Sequence, residues 1–215
     1  MEAQRHYSPV DRLIDQLDSA LRTVAGKPIP TERPEPDAGM DEAELTASEK
    51  QLSGNLMRVN HAGEVSAQGL YQGQALTAKL PEVRGAMERA AQEENDHLVW
   101  CENRIHALDT HKSWLGPFWY AGSFAIGSLA GLAGDKWSLG FVAETEKQVV
   151  KHLNEHLQIL PEADDKSRAV LEQMKEDEAH HATVALEAGA AELPTPVKKL
   201  MGVTSKIMTT LAFRL

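Results

Sequence analysis

Along most of this chain apolar residues recur every three to four positions, with Glu, Lys, Gln and Arg filling the intervals. That period places the apolar side chains on one face of an α-helix, so the pattern predicts a helical protein. A short amphipathic helix is expected over residues 8–26. Ser8 caps it, Pro9 fits its first turn, and Leu13, Leu17, Leu21 and Val24 form its stripe. Pro28, Pro30, Pro34 and Pro36 then predict an extended, mobile linker. Four long helices follow. Thr46 and Glu49 resemble a capping box opening the first, over 46–79. Pro81 ends it and starts the second, over 82–108, with Val83, Met87, Ala90, Leu98, Cys101, Ile105 and Leu108 as its apolar positions. The third spans 136–160 and stops at Pro161; the fourth spans 164–189 and stops near Gly189, ahead of Pro194 and Pro196. The last stretch, 197–215, reads as a basic amphipathic helix.

Between the second and third helices the periodicity fails. "SWLGPFWYAGSFAIGSLAGLAG" (113–134) carries no charge, and its 22 residues are long enough to span a bilayer. Its five glycines and one proline make it a weak spanning helix, and Asp135 follows at once. The tight connections on either side predict two antiparallel hairpins, and the long crossover between them is what a ferritin-like bundle requires. The expected fold is therefore all-α: a ferritin-like four-helix bundle with a long crossover and additional terminal helices. The chain divides into an amphipathic helix and Pro-rich linker (1–45) and the bundle with its crossover and C-terminal helix (46–215).

Composition narrows the function. A net charge of −10 argues against nucleic-acid binding, which needs clustered Lys and Arg. The single cysteine, Cys101, excludes a disulfide framework and fits a reducing compartment. The first residues lack an apolar signal region and are too acidic for a transit peptide, so a bacterial cytoplasmic origin is expected. No phosphate-binding loop, dinucleotide fingerprint or nucleophile elbow is present.

The candidate chemistry lies in two Glu-x-x-His pairs. Glu94 with His97, and Glu178 with His181, are three apart and share a helix face. One such pair is most often a solvated surface pair, so placement must decide. Glu178 and His181 lie with Leu171, Met174 and Ala185, whereas Asp177 and His180 fall on the expected surface. The first long helix offers Glu64, on a stripe with Met57, Ala67, Tyr71 and Ala75. The third offers Glu146, in line with Val149, Leu153, Leu157 and Leu160; Glu144 lines up instead with Gln148, Lys151 and Glu155 and faces water. A carboxylate on an apolar stripe is expensive to bury alone. One Glu from each of two helices and Glu-x-x-His from each of the other two is the ligand pattern of a di-iron carboxylate bundle. Four carboxylates balance two divalent ions, and carboxylate with imidazole suits iron or manganese better than zinc.

The segments "RVNHAGEVSAQGLYQGQ", "EENDHL", "ETEKQVVKHLNEHL" and "DEAHH" resemble the motifs of the demethoxyubiquinone hydroxylase family, di-iron monooxygenases of ubiquinone biosynthesis, over about residues 50–215. The resemblance implies Glu64, Glu94, His97, Glu146, Glu178 and His181 as ligands of two Fe ions, with Glu94 and Glu178 bridging. It places His152 in a supporting shell, where Tyr71 is a second candidate. Leu153 stands where some relatives carry Tyr. The implied reaction is O₂-dependent ring hydroxylation of a polyprenyl methoxy-methyl-benzoquinol; the sequence leaves the electron donor open, with NADH or a reductase as candidates, and an accessory protein of ubiquinone biosynthesis as a candidate partner. Such a substrate requires access to a membrane surface. The uncharged crossover and basic tail are expected to provide it, holding the protein peripherally on the cytoplasmic side of the bacterial inner membrane. The alternatives are a ferritin-like ferroxidase, a di-iron hydroxylase of another lipid, and a metal-free helical scaffold.

Overall fold

The computed structural model describes residues 8–31 and 33–215, apart from the side chains of Pro9, Arg12 and Leu13. Seven helices are present among the described residues: α1 (Pro9–Val24), α2 (Ala47–Thr77), α3 (Pro81–Ala107), α4 (Gly116–Ala133), α5 (Asp135–Ile159), α6 (Asp165–Glu187) and α7 (Thr195–Ala212). Their ends follow from local chemistry. Ser8 and Thr46 each close a capping box, with Asp11 and Glu49. Asp164 caps α6 through the Ser167 amide, and Pro81 sits in the first turn of α3. The Asp135 carboxylate at the start of α5 accepts from the amides of Lys79 and Leu80, tying that helix to the α2–α3 turn.

The ferritin-like architecture read from the sequence is the one observed. α2 pairs with α3, and α5 with α6, as two hairpins. Two apolar clusters fill the bundle at different heights. One gathers Leu56, Met57, Trp100, Cys101, Ile105, Leu153, Leu171 and Met174; the other gathers Tyr71, Ala75, Val83, Met87, Leu139, Val142 and Ala185.

The uncharged crossover is the helix α4, and it lies along α2. Small residues permit the close approach: a side chain at Gly127 would strike the Leu70 carbonyl, and one at Gly73 the Phe124 carbonyl. Among the described residues no helix is long and apolar enough to cross a membrane. The crossover aromatics divide by face. Tyr120, Phe124 and Trp119 turn toward the bundle, whereas Trp114 and Phe118 are exposed.

The amphipathic helix expected near the start of the chain is α1, whereas the mobility expected of the linker after it needs correction. On α1, Leu17 and Leu21 face solvent, while Ala20 and Val24 pack near Val65, Leu98 and Phe124; Leu13 lies outside the described side chains. The Pro-rich stretch is extended but anchored. Glu35 accepts from Asn103, and Glu42 accepts from both terminal guanidinium nitrogens of the buried Arg104 at 2.9 and 3.0 Å. Proline rules out helix and leaves the chain extended; specific charges then hold it to the bundle.

Candidate metal centre

Four glutamates enter the bundle from four helices: Glu64 from α2, Glu94 from α3, Glu146 from α5 and Glu178 from α6. All are buried. Each has a buried apolar residue seven positions away on both sides: Met57 and Tyr71, Met87 and Cys101, Leu139 and Leu153, Leu171 and Ala185. Seven residues are nearly two helical turns, so the stripe that builds the core also aims the carboxylates into it.

Ligating-type atoms of Glu64, Glu94, His97 and Glu178 lie within 4.8 Å of one another. His97 Nδ1 is 2.8 Å from Glu94 Oε2, 3.3 Å from Glu178 Oε1 and 3.8 Å from Glu64 Oε2. His181 Nδ1 is 3.2 Å from Glu94 Oε1 and 3.3 Å from Glu178 Oε2. Glu94 and Glu178 thus each turn one oxygen toward His97 and the other toward His181. Glu146 lies against Glu178 and accepts a hydrogen bond from the Tyr71 hydroxyl. Glu144 lies on the outer side of α5, bonded to Gln148, as the helix phase predicts.

So many acids in one dry space perturb one another. Burial, with the neighbouring Glu94 charge, holds the Glu64 carboxyl protonated well above the usual range. Burial and Glu178 do the same to Glu146. Burial also acts to raise Glu94, but the two imidazoles outweigh it and hold this carboxylate well below the usual range. Burial opposes protonation of the histidines, yet the surrounding carboxylates push His181 up to about 12 and His97 well up.

An outer ring of acids holds the imidazoles. Asp177 Oδ2 is 2.9 Å from His97 Nε2, and Glu93 Oε2 is 2.7 Å from His181 Nε2. The exchange is reciprocal: the acid preceding Glu178 supports the histidine that follows Glu94, and the acid preceding Glu94 supports the histidine that follows Glu178. The surface role expected for Asp177 is therefore corrected, although His180 is exposed as expected. The signal was an acid immediately before each Glu-x-x-His. What sequence could not give was that each acid serves the opposite hairpin.

His152 also needs correction. Its Nε2 is 2.8 Å from Ser205 Oγ on α7, and the ring borders an open groove of about 940 Å³ between α5 and α7. Six residues of helix turn it about 120° away from Glu146, whereas Leu153, at seven, shares the Glu146 face. Tyr71, by contrast, contacts the cluster directly.

Two helical hairpins bringing four carboxylates and two imidazoles to one centre define a bundle of the ferritin-like class with a cluster that could hold metal. The family model described as ubiquinone biosynthesis protein COQ7 matches residues 51–212, and the chain belongs to that family. It is 64% identical over 209 residues to the 3-demethoxyubiquinol 3-hydroxylase of Nitrosococcus oceani, covering 97% of this chain and 98% of that protein. It is 57% identical over 218 residues to the protein of that name from Stutzerimonas stutzeri, and 56% identical over 218 residues to the one from Pseudomonas fluorescens, with both chains covered completely in each case.

Proposed function

We propose that this chain is an O₂-dependent monooxygenase that hydroxylates the ring of a polyprenyl demethoxyubiquinol, with two iron ions held by Glu64, Glu94, His97, Glu146, Glu178 and His181. The observation that carries the reading is the double span of Glu94 and Glu178 between the two imidazoles, in a family whose relatives are named for that hydroxylation. The donor set fits the metal. It is all carboxylate and imidazole, and Glu94 Oε1 is a buried acceptor that, with His181 Nδ1 3.2 Å away, still has no aligned hydrogen bond among the described residues.

Bound iron supplies the electrons and Lewis acidity for O₂ chemistry. The protein supplies the geometry. Asp177 and Glu93 hold the Nε2 protons of His97 and His181, leaving each Nδ1 directed inward. Tyr71 holds Glu146, and the two apolar clusters above and below keep the centre dry.

The substrate is greasy, and the surface carries apolar stripes to meet it. Val10, Ile14, Leu17 and Leu21 on α1, Trp114, Phe118, Leu129 and Leu132 on or beside α4, and Leu200, Val203, Ile207 and Leu211 on α7 all face solvent. Lys199, Lys206 and Arg214 are exposed on or beside α7. In this reading the stripes rest in the interfacial layer on the cytoplasmic side of the bacterial inner membrane, and the cations meet anionic headgroups. A ferroxidase would have no use for such stripes. The electron donor is NADH or a reductase, and an accessory protein of the pathway is a further partner. Quinone profiling of a deletion strain tests the reading. Demethoxyubiquinone should accumulate and clear when the parent gene is restored, but not with the Glu178→Ala variant. An unchanged quinone pool in the deletion strain would exclude the assignment.

A further inference from the structure

The two histidines are not held alike. The acid behind His181, Glu93, has a half-exposed side chain. The acid behind His97 is itself clamped, and the clamp comes from the extended segment before α2. Arg33 reaches Asp177 Oδ2 at 2.7 Å, and Asp177 Oδ2 is 2.9 Å from His97 Nε2. The Arg33 guanidinium also lies 5.1 Å over the Trp100 ring, which stands 5.4 Å from the His97 ring. Two residues earlier, Thr31 closes on Asp96. Its amide and its hydroxyl each donate at 2.6 Å to one oxygen of that fully buried carboxylate. Asp96 immediately precedes His97, so both bonds pin the turn of α3 that carries the imidazole.

We infer that Thr31 and Arg33 are positioning residues that fix the His97 half of the centre and make the two iron positions unequal in retention. Both residues lie before the stretch that the family model matches. Arg33 fits the role because a planar guanidinium can hold a carboxylate and cover an aromatic face together. Asp177, held in place, fixes the Nε2 proton and keeps His97 Nδ1 aimed inward. Without Arg33 the carboxylate swings into water and the ring loses its cover. Without the Thr31 hydroxyl, Asp96 Oδ2 loses the donor that side chain supplies, while the amide of residue 31 still reaches Oδ1.

This inference rests on the proposed dinuclear site, and one experiment separates the two. The purified full chain is loaded with ferrous iron under anaerobic conditions, and iron release to an excess of chelator is followed over time. The parent should hold two irons and release them in two phases of equal amplitude. Arg33→Gln and Thr31→Val should speed the slow phase about 10- to 100-fold while leaving the fast phase unchanged, the usual scale for loss of an outer-shell partner. Arg33→Lys should restore part of the difference. Glu42→Gln, which loosens the strap at its far anchor, should lower the melting temperature without moving either phase. If the parent holds two irons but Arg33→Gln releases them at the parent rates, or if Glu42→Gln changes the slow phase as much, the strap is ordinary packing and the inference falls. If the parent holds fewer than two irons, the dinuclear reading falls and takes the strap with it.

Discussion

Each central glutamate occupies a position where the helix pattern calls for Leu or Met, and that choice dominates the chemistry at the residue scale. Water would solvate the charge; the core cannot, so the charge must be neutralised by a proton or a metal. Without metal, protons remain on Glu64, Glu146, His97 and His181. Metal must displace them, so iron affinity should rise with pH and loading should release protons. Titrating ferrous iron in two buffers of different ionisation enthalpy measures that release. A second prediction concerns helix phase. Glu146→Gln should lose iron while keeping the helical circular dichroism, and Glu144→Gln should keep its iron; metal content of the two purified proteins decides it. A third uses histidines outside the cluster. Burial, reinforced by His152, holds His156 down to about 4. Its Nδ1 bonds to Asn60 Oδ1. The unfolded chain protonates this residue near 6.5 and the fold resists, so its contribution to stability is present above that value and lost as pH falls toward 4. Glu64 and Glu146 act with the opposite sign, because their raised carboxyls lose stability as pH rises. The difference between variants isolates one residue: between pH 6.5 and 4, urea unfolding of metal-free His156→Gln should show a shallower rise of stability with pH than the parent, by up to one proton.

At the scale of elements, helices and their ends were legible because their causes are local. Capping boxes at Ser8 and Thr46 and the stop at Pro81 act within one turn. The separation of Glu146 from Glu144 is likewise a matter of phase on one helix. The strap was not legible. Thr31 meets Asp96 across 65 residues and Arg33 meets Asp177 across 144, and no periodicity reports such a contact. The outward turn of the α1 stripe was hidden for the same reason, since only the packed bundle shows which face remains free. α4 carries the clearest element-scale prediction. Its close approach to α2 depends on glycine, so Gly127→Leu should separate the two helices and lower the melting temperature by several degrees. Trp114→Ser with Phe118→Ser should leave that temperature near the parent value, because both residues face solvent. The double variant should nevertheless bind anionic vesicles more weakly and turn over long-chain quinols more slowly. Equal vesicle binding by parent and variant would remove the interfacial role.

For the whole molecule, two hairpins of similar design hold one centre, each supplying one Glu, one Glu-x-x-His and one outer acid. The outer acids cross between hairpins, so neither half is complete alone, and metal should stabilise the assembled bundle rather than either half. Added ferrous iron should therefore raise the melting temperature as a single cooperative transition. The central claim is that this centre places one atom of O₂ on a quinol ring. The most direct measurement is a single turnover of the reduced, iron-loaded protein with a demethoxyubiquinol under ¹⁸O₂, followed by mass spectrometry of the product. One ¹⁸O atom in the new ring hydroxyl, with yield proportional to pairs of bound iron and absent in Glu178→Ala, is the predicted result. A product bearing oxygen from water, or iron oxidised with the quinol unchanged, would contradict it.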